Sequence, residues 1–148
     1  MRCPSVIIAL LFAAACASTK SNSSIGHTRT RPVTMLNDNT YLLTEPARDA
    51  TYGYDKKNPV KVGSEGGSGP VNERRFLNAL LGPNGESIWY ARAGSCCQFK
   101  TPNGLFGDAG LLDIYRVTWQ GSKDTVSIYI NMYDKGDLYI PAGFTARR

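Results

Sequence analysis

The chain has 148 residues, enough for one domain with its own apolar core. It is 42% hydrophobic and 20% charged, with a formal net charge of +5. That excess is modest and scattered, which excludes the dense basic patch of a nucleic-acid binder.

The first element in chain order is a short apolar run, Val6 to Ala15, preceded by Arg2 and the amino terminus. It is shorter than the about 20 residues a membrane-spanning helix needs, and polar residues follow it. Basic start, apolar middle and small residues at the end are the layout of a cleaved secretory signal. Residues 1–15 are therefore expected to be a signal peptide. Ala13-Ala14-Ala15-Cys16 resembles a lipobox, the motif read by lipoprotein signal peptidase, with Ala13 where leucine is usual. Cys16 is the expected lipidation site, its thiol carrying diacylglycerol and its amine acylated; each buried methylene adds about 0.8 kcal/mol to anchoring. An ordinary small-x-small cut at Ala15-Cys16-Ala17, giving a secreted or periplasmic protein, is the alternative. Ala17 is not the aspartate of inner-membrane retention, which points to the outer membrane. Loss of Arg2 with the signal lowers the net charge by one, to +4.

Residues 16–32 read as the lipidated cysteine and a flexible tether, rich in Ser, Thr, Asn and Lys. A single domain is expected over 33–148. Short strands are predicted at Val33–Leu36, Thr40–Leu43 and Asn58–Val62. Gly63 to Gly69 is glycine-rich, but Pro70 stands where a phosphate-binding P-loop needs Lys, so a plain loop is favoured. The spacing predicts a helix over Pro70–Leu81, with Pro70 in its first turn and Gly82-Pro83 stopping it. Strands follow at Ser87–Arg92, Ser95–Lys100 and Leu111–Trp119. Val126, Ile128, Ile130 and Met132 then alternate with Ser127, Tyr129, Asn131 and Tyr133, a strict period of two. Asp134 to Asp137 reads as a hairpin loop of solvated residues, with Leu138 and Ile140 returning. The pattern predicts an α+β domain, an antiparallel sheet with one main helix packed on it.

Candidate functional residues are few. Cys96 and Cys97 are adjacent and read first as two small buried thiols; a vicinal disulfide, a bond to another chain and a thiol metal site are the alternatives. A thiol nucleophile needs a base, and the single histidine, His27, falls in the expected tether. The same lone histidine leaves no set of zinc ligands, and no cofactor is expected. Asp108 and Asp113 suggest an acid–base pair only by their nearness in sequence. Tyr129, Asn131 and Tyr133, opposite the apolar face of their strand, read either as a second buried face with cross-strand pairing or, as the functional reading, as the expected partner surface.

The strings Tyr52-Gly53-Tyr54, Asn58 to Gly63, Gly69 to Leu80, Gly82 to Glu86, Gly94 to Phe99 and Tyr129 to Asp134 carry a family resemblance. Over about 52–145 the chain resembles small bacterial cell-envelope lipoproteins with no established function. Some members bear the name 2-dehydro-3-deoxyphosphooctonate aldolase. This chain does not support that name, because the activity belongs to an eight-stranded α/β barrel of typically about 250 residues. The expected role is a membrane-anchored, non-catalytic binding or structural module with an envelope protein or glycan partner. A thiol or redox protein using Cys96-Cys97 and an immunity-like accessory protein are the rival readings.

Overall fold

A computed structural model describes residues 25–105 and 107–148. The expected signal peptide, Cys16 and the first part of the expected tether lie outside the described residues.

The elements are β1 (Met35–Asn37), β2 (Thr40–Tyr41), β3 (Val60–Lys61), α1 (Gly69–Ala79), β4 (Leu80–Leu81), β5 (Ile88–Lys100), β6 (Ala109–Trp119), β7 (Val126–Asn131) and β8 (Thr145–Ala146). The main sheet runs β3-β7-β6-β5. β5, β6 and β7 pair antiparallel, and β3 lies parallel to β7. The expected α+β class holds, with one helix over a sheet that this single parallel pair makes mixed.

Helix α1 forms where a proline with a preset φ opens a run with buried residues at Asn72, Glu73, Phe76 and Leu77. It ends two residues earlier than the spacing predicts. Leu80 is extended (φ −81°, ψ 148°) and pairs with Ala146, while Leu81 pairs with Thr145. A carboxy-terminal strand partner wins over helix propensity, a weak preference that tertiary contacts override. Phe76, Leu77, Leu80, Val117, Ile128 and Ile130 are fully buried and form the core between helix and sheet.

Two predicted strands fuse into one. β5 runs unbroken from Ile88 to Lys100, with its register against β6 shifting at Arg92/Gly94 and again at Cys96/Phe99. Such bulges bend a strand without ending it. The predicted hairpin at 134–137 is absent. Ile140 instead bridges to Pro46, and the backbone of Lys135 accepts hydrogen bonds from Thr28 N (2.6 Å) and Arg29 N (3.0 Å).

Those bonds correct the tether boundary. Arg29 Nε donates to Gly136 O (2.8 Å) and Arg29 Nη2 to Val62 O (3.1 Å). Thr30 N and Arg31 N both donate to Asp137 Oδ1 (2.9 and 3.0 Å). The stretch from Thr28 to Arg31 is thus part of the folded body. Its polar composition looked like a spacer because it bonds to backbone and to a carboxylate instead of filling the core. Among the described residues no helix is long and apolar enough to cross a membrane.

Candidate binding cleft

The period of two along β6 and β7 sends Asp113, Tyr115, Ile128 and Ile130 toward α1. It sends Leu112 and Asn131 the other way. On that second face lies a cleft of about 650 Å³, within the range of about 300–1,000 Å³ typical of small-molecule sites. Leu112 and Asn131, each 1% exposed, lie at its base. One wall is the end of β5 from Cys97 to Lys100, and the other is Lys56 to Lys61. Tyr52 and Tyr139 meet edge to face (5.7 Å between centroids) along its side.

The turn after β7 is a rigid polar knot. Asn131 Oδ1 accepts from the backbone N–H groups of Tyr133 (2.9 Å) and Asp134 (3.0 Å), an Asx-type turn. Asp134 is 1% exposed. Its carboxylate accepts from Thr101 Oγ1 (2.6 Å), Asn103 Nδ2 (2.7 Å) and Asn131 Nδ2 (2.9 Å). Burial opposes its ionisation, but those three donors and the Lys61 charge outweigh burial and hold its pKa below the usual carboxylate value. Asp134 is therefore a buried structural anion, not the solvated turn residue expected.

Cys96 and Cys97 are joined as a vicinal disulfide, with Cα atoms 3.7 Å apart, and both are half-buried. Of the alternatives, the structure holds the vicinal bond. The bond sits in the second bulge of β5, where Cys97 takes φ +60°. A left-handed backbone costs a non-glycine residue about 1–2 kcal/mol, and the bulge is where the chain tolerates it. Both sulfurs being bonded, neither is a free nucleophile here.

The cleft is electropositive. Lys56, Lys57, Lys61 and Lys100 line it against Asp134 and Asp137. Asp137 is occupied by Thr30 (Oγ1 2.7 Å) and by Arg31, and Asp134 by its three donors. Lys61 is half-buried; desolvation lowers its pKa and Asp134 opposes that shift. Lys56, Lys57 and Lys100 are exposed, and none of the three forms an ion pair among the described residues.

The expected partner surface of Tyr129, Asn131 and Tyr133 is not an open face. Asn131 is buried, and Tyr133 is 9% exposed, packed edge-on against Phe99 (6.1 Å). Tyr129 is half-buried, its N–H donating to Gly53 O (2.8 Å). The turn to Asp134 and the end of β5 cover what alternation alone presents as a free side. Only Asn131 of the three lines the cleft. His27 lies beside the same turn, its Nδ1 accepting from Lys135 N (3.0 Å). Among the described residues no group of three His, Cys, Asp or Glu side chains is placed to hold a metal ion.

The helix face hides a second polar group of residues. Asp113 is gripped by Arg92 through Nε (2.9 Å) and Nη2 (2.8 Å) and by Ser95 Oγ (2.7 Å). Its carboxyl partner is Glu73 of α1, not Asp108. Glu73 is fully buried, and Tyr115 OH donates to its Oε2 (2.9 Å). Burial, then the nearby Asp113 charge, push the Glu73 pKa up to about 7. Its Oε1 has no hydrogen-bond partner among the described residues, which adds to the cost of ionising this carboxyl. Burial opposes ionisation of Asp113, but Arg92 and Ser95 prevail and lower its pKa. Of the two carboxyls, Glu73 is therefore the one that takes up a proton near neutral pH. Enclosure of Glu73 within the core makes this a packing device and not an accessible acid.

Compared with known proteins, this α+β chain matches no family model, no curated protein and no solved structure.

Proposed function

We propose that the chain is a membrane-anchored lipoprotein of the bacterial cell envelope, moored through Cys16 to the outer membrane, whose folded domain binds a ligand without transforming it. The observation that supports binding most directly is the cleft: about 650 Å³, rigidly based, and lined by lysines that outnumber its carboxylates. The signal-like start and the resemblance to small envelope lipoproteins support the mooring. Its base is fixed by the Asn131–Asp134 knot, so a ligand meets a preformed site and little ordering cost.

Fractionation tests the mooring. Wild-type protein is expected in the membrane fraction, with acyl chains on Cys16 by intact-mass measurement, and Cys16→Ser in the soluble fraction. Wild-type protein found soluble with Met1 still attached contradicts the reading.

The bond between Cys96 and Cys97 favours a second reading, a redox protein of the envelope. In that case two electrons and two protons from a dithiol donor convert the bond to two thiols. Thiol titration before and after mild dithiothreitol separates the two readings. Ready, reversible reduction supports the redox role, and an inert bond leaves the binding module.

A further inference from the structure

We propose that the cleft takes an acidic saccharide, a sugar chain bearing carboxylate groups, with its anionic groups at Lys56, Lys57 and Lys100 and a ring face against Phe99 and the Cys96–Cys97 bond. This deepens the binding reading and rests on it.

Charge comes first. The three exposed lysines have no carboxylate partner among the described residues, and the two cleft aspartates are occupied by internal donors. The site thus sets four lysines against two carboxylates whose oxygens already accept internal hydrogen bonds, which leaves an excess of positive charge for a ligand. Shape and polarity come second. The walls alternate apolar side chains with amides: Phe99, Cys97 and Tyr139, whose ring also carries the Arg31 guanidinium, on one hand, Gln98 and Asn58 on the other. A sugar ring has the same alternation, with C–H faces that lie on apolar planes and hydroxyls at its edge that meet amides and ammonium groups. A purely apolar ligand would leave the lysines and amides unpaired on desolvation. A bare inorganic anion would use the lysines and leave the apolar walls and most of the volume idle. Preorganisation comes third. Gly110 lies so close under Phe99 and Tyr133 that an added Cβ would stand 2.8 Å from Phe99 Cζ and 2.9 Å from Tyr133 Cδ2. The Phe99 platform is therefore set on a backbone that admits no side chain beneath it.

Calorimetric titration of the soluble Cys16→Ser protein with trigalacturonate, maltotriose and inorganic phosphate tests this. The proposal expects saturable binding of trigalacturonate that weakens with added salt, and no detectable heat from maltotriose. Phosphate should bind at least tenfold more weakly than trigalacturonate. Lys56→Glu/Lys57→Glu reverses two exposed charges. It should weaken trigalacturonate about tenfold, from about 1.4 kcal/mol of lost charge pairing, with Tm unchanged. Absence of trigalacturonate binding overturns the proposal, as does phosphate binding equally well or maltotriose binding as tightly. A domain that fails with trigalacturonate yet carries another molecule in this cleft when extracted from membranes loses the saccharide and keeps the binding role. Failure of the mooring shows in fractionation alone.

Discussion

The two faces of the main sheet use buried carboxylates in opposite ways. On the helix side, Glu73 sits beside Asp113, and burial and its neighbour's charge raise its pKa to about 7. On the cleft side, Asp134 is as deeply buried but stays ionised, because three side-chain donors surround it. Burial alone does not set the state of an acid. The count and sign of the groups around it do. The difference also separates roles. The helix-side pair is enclosed in the core, whereas Asp134 stiffens the turn that lines an open cleft.

The comparison breaks most visibly at Asp134. Asp134→Ala leaves the Thr101, Asn103 and Asn131 donors facing nothing, and should cost about 3 kcal/mol in urea unfolding. Asp134→Asn should cost less, because one amide oxygen still accepts. A midpoint unchanged in both variants means the knot is not structural.

Glu73 sharpens the contrast through pH. Its folded pKa of about 7 lies above its ordinary value of 4.5, so the native state binds a proton there that the unfolded state releases. The stability it contributes is complete below pH 4.5 and lost as pH rises through 7. The loss is about 3 kcal/mol. Asp113 behaves oppositely: with its pKa lowered, its contribution is present above the ordinary Asp range and fades as pH falls through the folded value. Glu73→Gln, which can still accept from Tyr115 and donate to Asp113, should be more stable than wild type at pH 8 and nearly level with it at pH 5. Parallel stability profiles for the two proteins from pH 5 to 8 contradict a raised Glu73 pKa.

The smallest effect belongs to the disulfide. A bond between neighbours closes almost no loop, so reduction should lower stability by less than about 1 kcal/mol. Its influence should appear in trigalacturonate affinity instead. A large loss of Tm on reduction would make the bond a structural staple and not part of a ligand wall.

Much of the fold was legible in the residues. The alternation from Val126 to Tyr133 marks β7, and Pro70 with the leucine spacing marks α1. Limits of periodicity explain the misses. Alternation says which side chains share a face but not what later covers it, so it leaves Tyr133 and Asn131 open between a partner surface and a second buried face, and both are buried. Leu80 and Leu81 fit a helix locally and left it for a partner 64 or more residues away in β8. The cleft was the least visible feature. Its lysines lie in two separate stretches, 56–61 and Lys100, and only the bulged end of β5 brings them to one opening. Glu73, one acid on a helix, carried no sign of burial beyond its place three residues before Phe76 in the stripe that faces the core.

The most direct test of the account maps backbone amide shifts of the ¹⁵N-labelled Cys16→Ser protein during titration with trigalacturonate. The account predicts saturable shifts at 56–61, 97–100 and 131–139, with the Glu73, Asp113 and Tyr115 amides still. Shifts centred on the helix face, or none at saturating sugar, would contradict it.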